Sequence, residues 1–235
     1  MGSVSTYVLV PGGWHAAWCW RPVATRLRSA GHRAIALTLP GLNDGDDPSG
    51  YRLTDAVDFL TGQVRGLQRD VILVAHSWGG YPATGAAAVL TDRVSKVIYF
   101  NALVPVRGMS LVDDHPPAGR DLLLSLINGS PNGAIAPSLA YVEELFMQDV
   151  APELQRMVAD LLTPQPGGYF LDALNVDPAA LGVPTAYIAS DNDCAPQWPA
   201  TEFASRLGVE PIYVPGTHLS MLTHPTEVAE AIMAV

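Results

Sequence analysis

The chain predicts an α/β fold, a mostly parallel sheet of about six strands with helices on both faces and one helical insertion. Three observations predict it. Short aliphatic or β-branched runs recur, each followed by a turn and a helix-compatible stretch, which is the pattern of βαβ units. Hydrophobic residues make up 49% of the sequence and charged residues 15%, enough apolar material for a sheet covered on both sides. At 235 residues one core can still grow, so we expect a single domain over 1–235.

In order along the chain, strands are expected at residues 7–10, 33–39, 71–75, 94–100, 185–189 and 211–214. Helices are expected at about 18–30, 54–67, 78–90, 201–207 and 226–234, several opened by Ser, Thr or Pro as helix starts prefer. From about 106 to 181 no strand is expected, but helical patterns recur near 122–127, 139–149 and 153–162. That stretch is too long for an ordinary crossover and reads as a lid over the strand ends.

Composition excludes several functions. The net charge is −10 and Lys96 is the sole lysine, so the chain lacks the basic surface that nucleic acid or an anionic membrane would require. Cys19 and Cys194 are too few and too far apart for a disulfide framework or a thiolate metal site. Both are expected free, in a reducing compartment. Residues 1–10 carry no Lys or Arg and do not read as a secretory leader, and the Ala-rich stretch at 71–90 is broken by Gly, Pro and His, so a cytoplasmic protein is expected. There is no His-Glu-x-x-His pattern and no dinucleotide fingerprint. Neither metal nor cofactor is called for.

The strongest local signal is Ala75-His76-Ser77-Trp78-Gly79-Gly80, placed between an apolar strand and a small-residue helix. It reads as a nucleophile elbow, whose turn is so sharp that larger flanking residues would clash; Ala75 stands where the first glycine of G-x-S-x-G would be. Serine needs a general base, and the base an orienting acid. His218 fits the base, lying in the Gly216-Thr217-His218 turn between the last strand and the last helix. His76 should point away along the strand, and His15, His32, His115 and His224 follow no late strand end. Asp191 and Asp193 both follow the fifth strand, and the pattern leaves them tied; Asp113 and Asp114 are a distant third choice. The negative charge of a tetrahedral intermediate calls for two aimed N–H groups, assigned to Trp78 and to Gly13 in Pro11-Gly12-Gly13-Trp14.

Four blocks resemble the α/β-hydrolase superfamily, in its plant-type esterase and hydroxynitrile lyase branch, which includes methyl-salicylate esterases and bacterial members. They are Val8 to His15 running into Ala17-Trp18-Cys19-Trp20, the elbow at 75–80, the stretch from Leu145 to Thr163-Pro164-Gln165-Pro166, and Pro215-Gly216-Thr217-His218 with Met221 and Pro225. The resemblance implies an α/β-hydrolase fold, a Ser77–His218–Asp193 triad and an oxyanion hole at Gly13 and Trp78. Where the family usually has His-Gly, this chain has Pro11-Gly12. Leu219 replaces the lysine that hydroxynitrile lyases carry after the histidine, and Gly12 and Trp78 replace their threonine and cysteine, which argues against cyanide release.

The leading reading is therefore a serine hydrolase that cleaves a small or medium, largely apolar ester, thioester or lactone through an acyl-enzyme. Its pocket is expected from Trp14, Phe146, Met147 and Leu219. A small-molecule substrate is the expected partner, and a homodimer is compatible with the sequence. Product analysis separates this reading from a lyase, cyclase or cofactor-free oxygenase built on the same dyad. Ligand binding without turnover would mark a receptor with a slow triad.

Overall fold

The computed structural model describes residues 4–235; Met1 to Ser3, on which part of the leader reading falls, lie outside the described residues. The first half of the chain alternates strand and helix: β1 (Thr6–Val10), α1 (Arg21–Ser29), β2 (Arg33–Ala36), α2 (Leu53–Arg65), β3 (Val71–His76), α3 (Gly80–Val89) and β4 (Val94–Phe100). The order β2-β1-β3-β4 is parallel throughout and is completed at the far edge by β7 and β8 below.

Between β4 and the next strand of this sheet lie α4 (Leu111–Asp114), α5 (Pro117–Gly129), β5 (Ala134–Ile135), α6 (Leu139–Tyr141), α7 (Pro152–Leu161), β6 (Gln165–Pro166) and α8 (Gly168–Leu171). The chain then rejoins the sheet through β7 (Thr185–Ser190), α9 (Ala200–Ser205) and β8 (Pro211–Val214), and ends in α10 (Ser220–Thr223) and α11 (Pro225–Ala234).

The period-two alternation of the strands divides the core. Val8 and Val10 of β1 face one side with Leu60 and Val64 of α2, Ala83 and Ala87 of α3 and Phe203 of α9. Tyr7 and Leu9 face the other, with Val23 and Leu27 of α1 and Val228 and Ile232 of α11. Burial of both faces is why the strands read as continuous apolar runs.

Three expectations are corrected. β2 ends at Ala36 rather than at residue 39. It is the edge strand, and after Leu37 N–H reaches Leu9 the chain turns at Pro40. The insertion holds a two-residue antiparallel ladder, Ala134 against Pro166 and Ile135 against Gln165, too short to leave a period in sequence. The helix expected over 139–149 is one α turn followed by a π turn, Val142–Phe146, closed by Met147 N–H on Val142 O at 2.8 Å.

Candidate active site

The elbow is fixed by backbone sterics. Ser77 has φ +51°, a left-handed conformation that a non-glycine residue adopts only when its surroundings enforce it. Here they do. A Cβ on Gly79 would lie 2.5 Å from Pro11 O, one on Gly80 2.0 Å from Leu103 O, and one on Gly12 2.6 Å from Ser77 Cβ. Leu103 N–H donates to Ser77 O at 2.9 Å, so the loop after β4 holds the turn from the other side. The small residues that made the motif legible are the ones that let three chain segments touch.

His218 is 2% exposed, and its Nδ1 lies 2.9 Å and 3.1 Å from the two oxygens of Asp193. A carboxylate only accepts, so Nδ1 carries the proton and Nε2 is left as the acceptor. Asp191 does something else: its Oδ1 accepts the Gly216 N–H at 3.0 Å, pinning the left-handed turn (φ +109°) that carries the histidine. The geometry thus separates two aspartates that the pattern left tied. Asp113 is capped by Ser110 and Asp114 is paired with Arg206 at 2.7 Å, both away from His218.

Sequence reasoning missed Asn101. Buried at φ +45° directly after β4, it accepts Ser190 N–H at 2.6 Å and donates through Nδ2 to Ser190 Oγ at 2.8 Å and His218 O at 3.1 Å. It ties the ends of β4 and β7 to the histidine turn. His76 also reaches His218 O through Nε2, at 3.1 Å, and its ring packs 4.5 Å from that of His218. Burial and the neighbouring His218 and His15 hold His76 well below the usual histidine range, so it serves as a neutral brace. Burial likewise pushes His15 down to about 4.

Trp78 N–H opens the turn after Ser77, where an amide has no partner one turn back. The Trp78 indole is turned into the core, stacked on Tyr169 at 4.6 Å. Across from it, the Gly13-Trp14 peptide is held by a second residue that the sequence did not single out. Gln165, fully buried, accepts Trp14 N–H through Oε1 at 2.9 Å. Thr163 N–H donates to Trp14 O at 3.0 Å, and Trp14 Nε1 donates to Ile135 O at 3.0 Å. The β5–β6 stem therefore clamps Trp14 at φ +62° and fixes the plane of the preceding amide.

Ser77, His218, Gly13 and Trp78 share the wall of one cavity of about 220 Å³, otherwise mostly apolar, with Trp14, Leu103, Leu123, Leu145, Phe146 and Phe170 on it. Met147 and Leu219, expected on this wall, are not. Both are fully buried in the core shared with α1 and α11. The π turn is the reason for the first: its extra residue puts Phe146 against the cavity and turns Met147 inward. Leu219 follows a side chain that already faces the cavity, and its N–H is drawn to Phe146 O at 3.2 Å. The His218 side chain is hydrogen-bonded through Nδ1 to Asp193 and not to Ser77 Oγ.

A serine in an enforced elbow, a histidine oriented by a carboxylate, and an apolar cavity over both form the arrangement of one large fold family, and residues 7–231 match its description, alpha/beta hydrolase family. The chain belongs to that family. This α/β hydrolase is 29% identical over 246 residues to a carbendazim hydrolyzing esterase of Nocardioides sp. (strain SG-4G), covering 99% of this chain and 100% of that one. It is 38% identical over 106 residues to methyl jasmonate esterase 1 of Vitis vinifera, covering 42% of this chain and 40% of the relative. An extracellular alpha/beta-hydrolase from a Paenibacillus species superposes with a TM-score of 0.90 at 22% identity, over 98% of both chains. No helix among the described residues is long and apolar enough to cross a membrane.

Proposed function

We propose that this α/β hydrolase is a serine esterase acting on small, largely apolar carboxylic esters through an acyl-enzyme. The observation that carries the proposal is the His218 Nδ1–Asp193 pair behind a strained Ser77 on the wall of one apolar cavity. The esterases among its relatives support the same chemistry.

Asp193 holds the tautomer in which His218 Nε2 is the free acceptor, beside Ser77 on the same cavity wall. As Ser77 Oγ attacks the ester carbon, its proton passes to Nε2, and the carbonyl oxygen takes the charge against the N–H groups of Gly13 and Trp78. Collapse breaks the bond to the alkoxide, which leaves with the proton from Nε2. Water then attacks the acyl-serine by the same route and releases the acid. The segment from about 106 to 181 serves as the lid of a single domain, and two free thiols, one buried and one exposed, suit a reducing cytoplasm.

The test is turnover of a panel of esters, thioesters and lactones by the wild type and by Ser77→Ala, with products identified. Acid and alcohol in equal amounts from the wild type, and none above background from Ser77→Ala, are expected. Turnover retained by Ser77→Ala would sink the covalent mechanism.

A further inference from the structure

Away from Ser77, His218 and Tyr141 the side chains of the cavity wall are mostly apolar except at one patch. Asp114, which the sequence offered only as a remote candidate acid, organises it. Its carboxylate is paired with Arg206 at 2.7 and 3.2 Å and also accepts Gln197 Nε2 at 3.3 Å, while its carbonyl accepts Trp198 Nε1 at 3.0 Å. The end of α4 and the loop that follows Asp193 are thereby locked together. Two side chains of this joint, His115 and Gln197, lie on the cavity wall.

Their polarity is set by the bonds they already make. His115 Nδ1 lies 2.9 Å from Leu111 O, and a carbonyl only accepts, so Nδ1 carries the proton and Nε2 of the neutral ring is an acceptor. Gln197 spends one of its two N–H groups on Asp114, which leaves Oε1 and the second N–H without a protein partner. Neither Nε2 of His115 nor Oε1 of Gln197 has a protein partner, and neither is sealed from solvent. The other polar groups nearby do not offset this bias. Tyr141 can donate or accept, the Trp14 indole N–H is committed to Ile135 O, and the Trp78 indole N–H is sealed off. Arg206, the cation at the patch, is consumed by Asp114 and Val104 O.

We infer that this patch is a substrate subsite that selects an ester bearing a hydrogen-bond donor, a hydroxyl or N–H, on its otherwise apolar body. The inference rests on the esterase reading and narrows its substrate class. A carboxylate at the same place would meet two acceptor atoms against the one spare N–H of Gln197, and no free cation. A plain hydrocarbon would leave both acceptors stripped of water and unpaired, the situation in which polar sites reject an isostere most strongly.

Two matched ester pairs test it, each differing by OH against CH3. They are methyl 3-(4-hydroxyphenyl)propanoate against its 4-methyl analogue, and 2-(4-hydroxyphenyl)ethyl acetate against its 4-methyl analogue, so that the donor lies on the acyl or the alcohol side. The wild type should prefer the hydroxyl ester of at least one pair by about tenfold in kcat/KM, the value of one well-made hydrogen bond. His115→Phe and Gln197→Met should each cut that ratio, and the double variant should bring it near unity. Because each ratio is taken within one protein, a partly misfolded variant does not distort it. Equilibrium binding of the same four esters to Ser77→Ala needs no turnover. If the wild type cleaved none of them, the esterase reading would fall, and this binding preference with its loss in His115→Phe would still decide the subsite. No hydroxyl preference in either pair, or a preference that survives the double variant, overturns it.

Discussion

The strand ends and the insertion build the same cavity by different physics. At the strand ends, position is enforced by backbone contact: four non-glycine or glycine-dependent turns, at Ser77, Asn101, Trp14 and Gly216, lie at positive φ, and glycines at 12, 79 and 80 leave no room for a methyl group. In the insertion, the wall is made by side chains such as Leu123, Leu145 and Phe146 on short helices and a π turn. The first kind of wall tolerates no substitution without moving atoms that react. The second tolerates many, each altering which body fits above the same chemistry. The strand ends should therefore govern rate, and the insertion preference.

The sharpest test of the strand-end side is the pair of aspartates, two residues apart in one loop. Asp193→Asn should lower kcat by about ten-thousand-fold, as loss of the histidine's orienting carboxylate does in serine proteases, with little change in melting temperature. Asp191→Asn keeps an acceptor oxygen for Gly216 N–H and removes only the charge behind that bond, so it should cost at most about 1 kcal/mol of stability while leaving most of the activity. Steady-state kinetics of both variants check this, and a reversed order would break the assignment. Next in size, Gly80→Ala should destabilise the fold by about 3 kcal/mol, because its Cβ would meet a backbone carbonyl at 2.0 Å rather than a flexible side chain. A denaturant midpoint equal to that of the wild type would mean that the elbow yields more readily than its contacts imply.

The same buried end of the sheet carries an acid sensitivity. His15 is 1% exposed and held down to about 4, against about 6.5 in the unfolded chain. A depressed folded-state value means that the unfolded chain binds the proton first, so this contribution is fully present above about 6.5 and is lost as pH falls towards about 4. Up to about 3 kcal/mol is at stake. His15→Gln cannot take up a proton there, so its melting temperature should fall less steeply than that of the wild type between pH 6.5 and 4.5; parallel slopes would count against His15.

Where the two regions meet, the stem of the insertion reaches the Gly13-Trp14 loop through Gln165. Gln165→Met keeps the volume and removes the acceptor for Trp14 N–H, leaving that amide unpaired. We expect kcat to fall about tenfold with KM nearly unchanged, since the Gly13 amide matters most when charge develops. Gln165→Glu, which retains an acceptor oxygen, should recover part of the loss. A rise in KM alone would make Gln165 part of the substrate wall instead.

The division between the regions also explains what could be read from the sequence. The sheet, its split core and the elbow were legible because they obey local rules: a period of two, a period near 3.6, and small residues where segments touch. Ser77 and His218, which lie on one cavity wall, were singled out by motif and chain order. Asp193 did not follow from pattern, because two aspartates in one loop have the same local surroundings and only their partners across the turn differ. Asn101 and Gln165 left no local mark, since Asn101 bonds to a strand 89 residues away and Gln165 to a loop 151 residues away. Met147 was misplaced because a single π turn shifts which side chain faces inward, and Leu219 because it follows a side chain that already faces the cavity; no composition announces either.

That shift supplies the smallest and most discriminating prediction. Phe146 and Met147 are adjacent, apolar and similar in sequence terms, but only Phe146 lies on the cavity, packed 5.2 Å from the His218 ring and 6.2 Å from Trp14. Met147 is fully buried against the α1–α11 face, and its carbonyl accepts Gln155 Nε2 at 2.8 Å. Phe146→Leu should therefore shift the ratio of kcat/KM between bulky and slim esters by a few-fold, with a small change in stability, because it reshapes open space beside the His218 ring. Met147→Leu conserves volume in a packed core and should cost under about 1.5 kcal/mol, with the ester ratio unchanged. Measuring both quantities for both variants separates cavity from core at neighbouring positions. If Met147→Leu moved the preference and Phe146→Leu only the stability, the π turn would present its residues the other way round, and the wall above Ser77 would have to be redrawn.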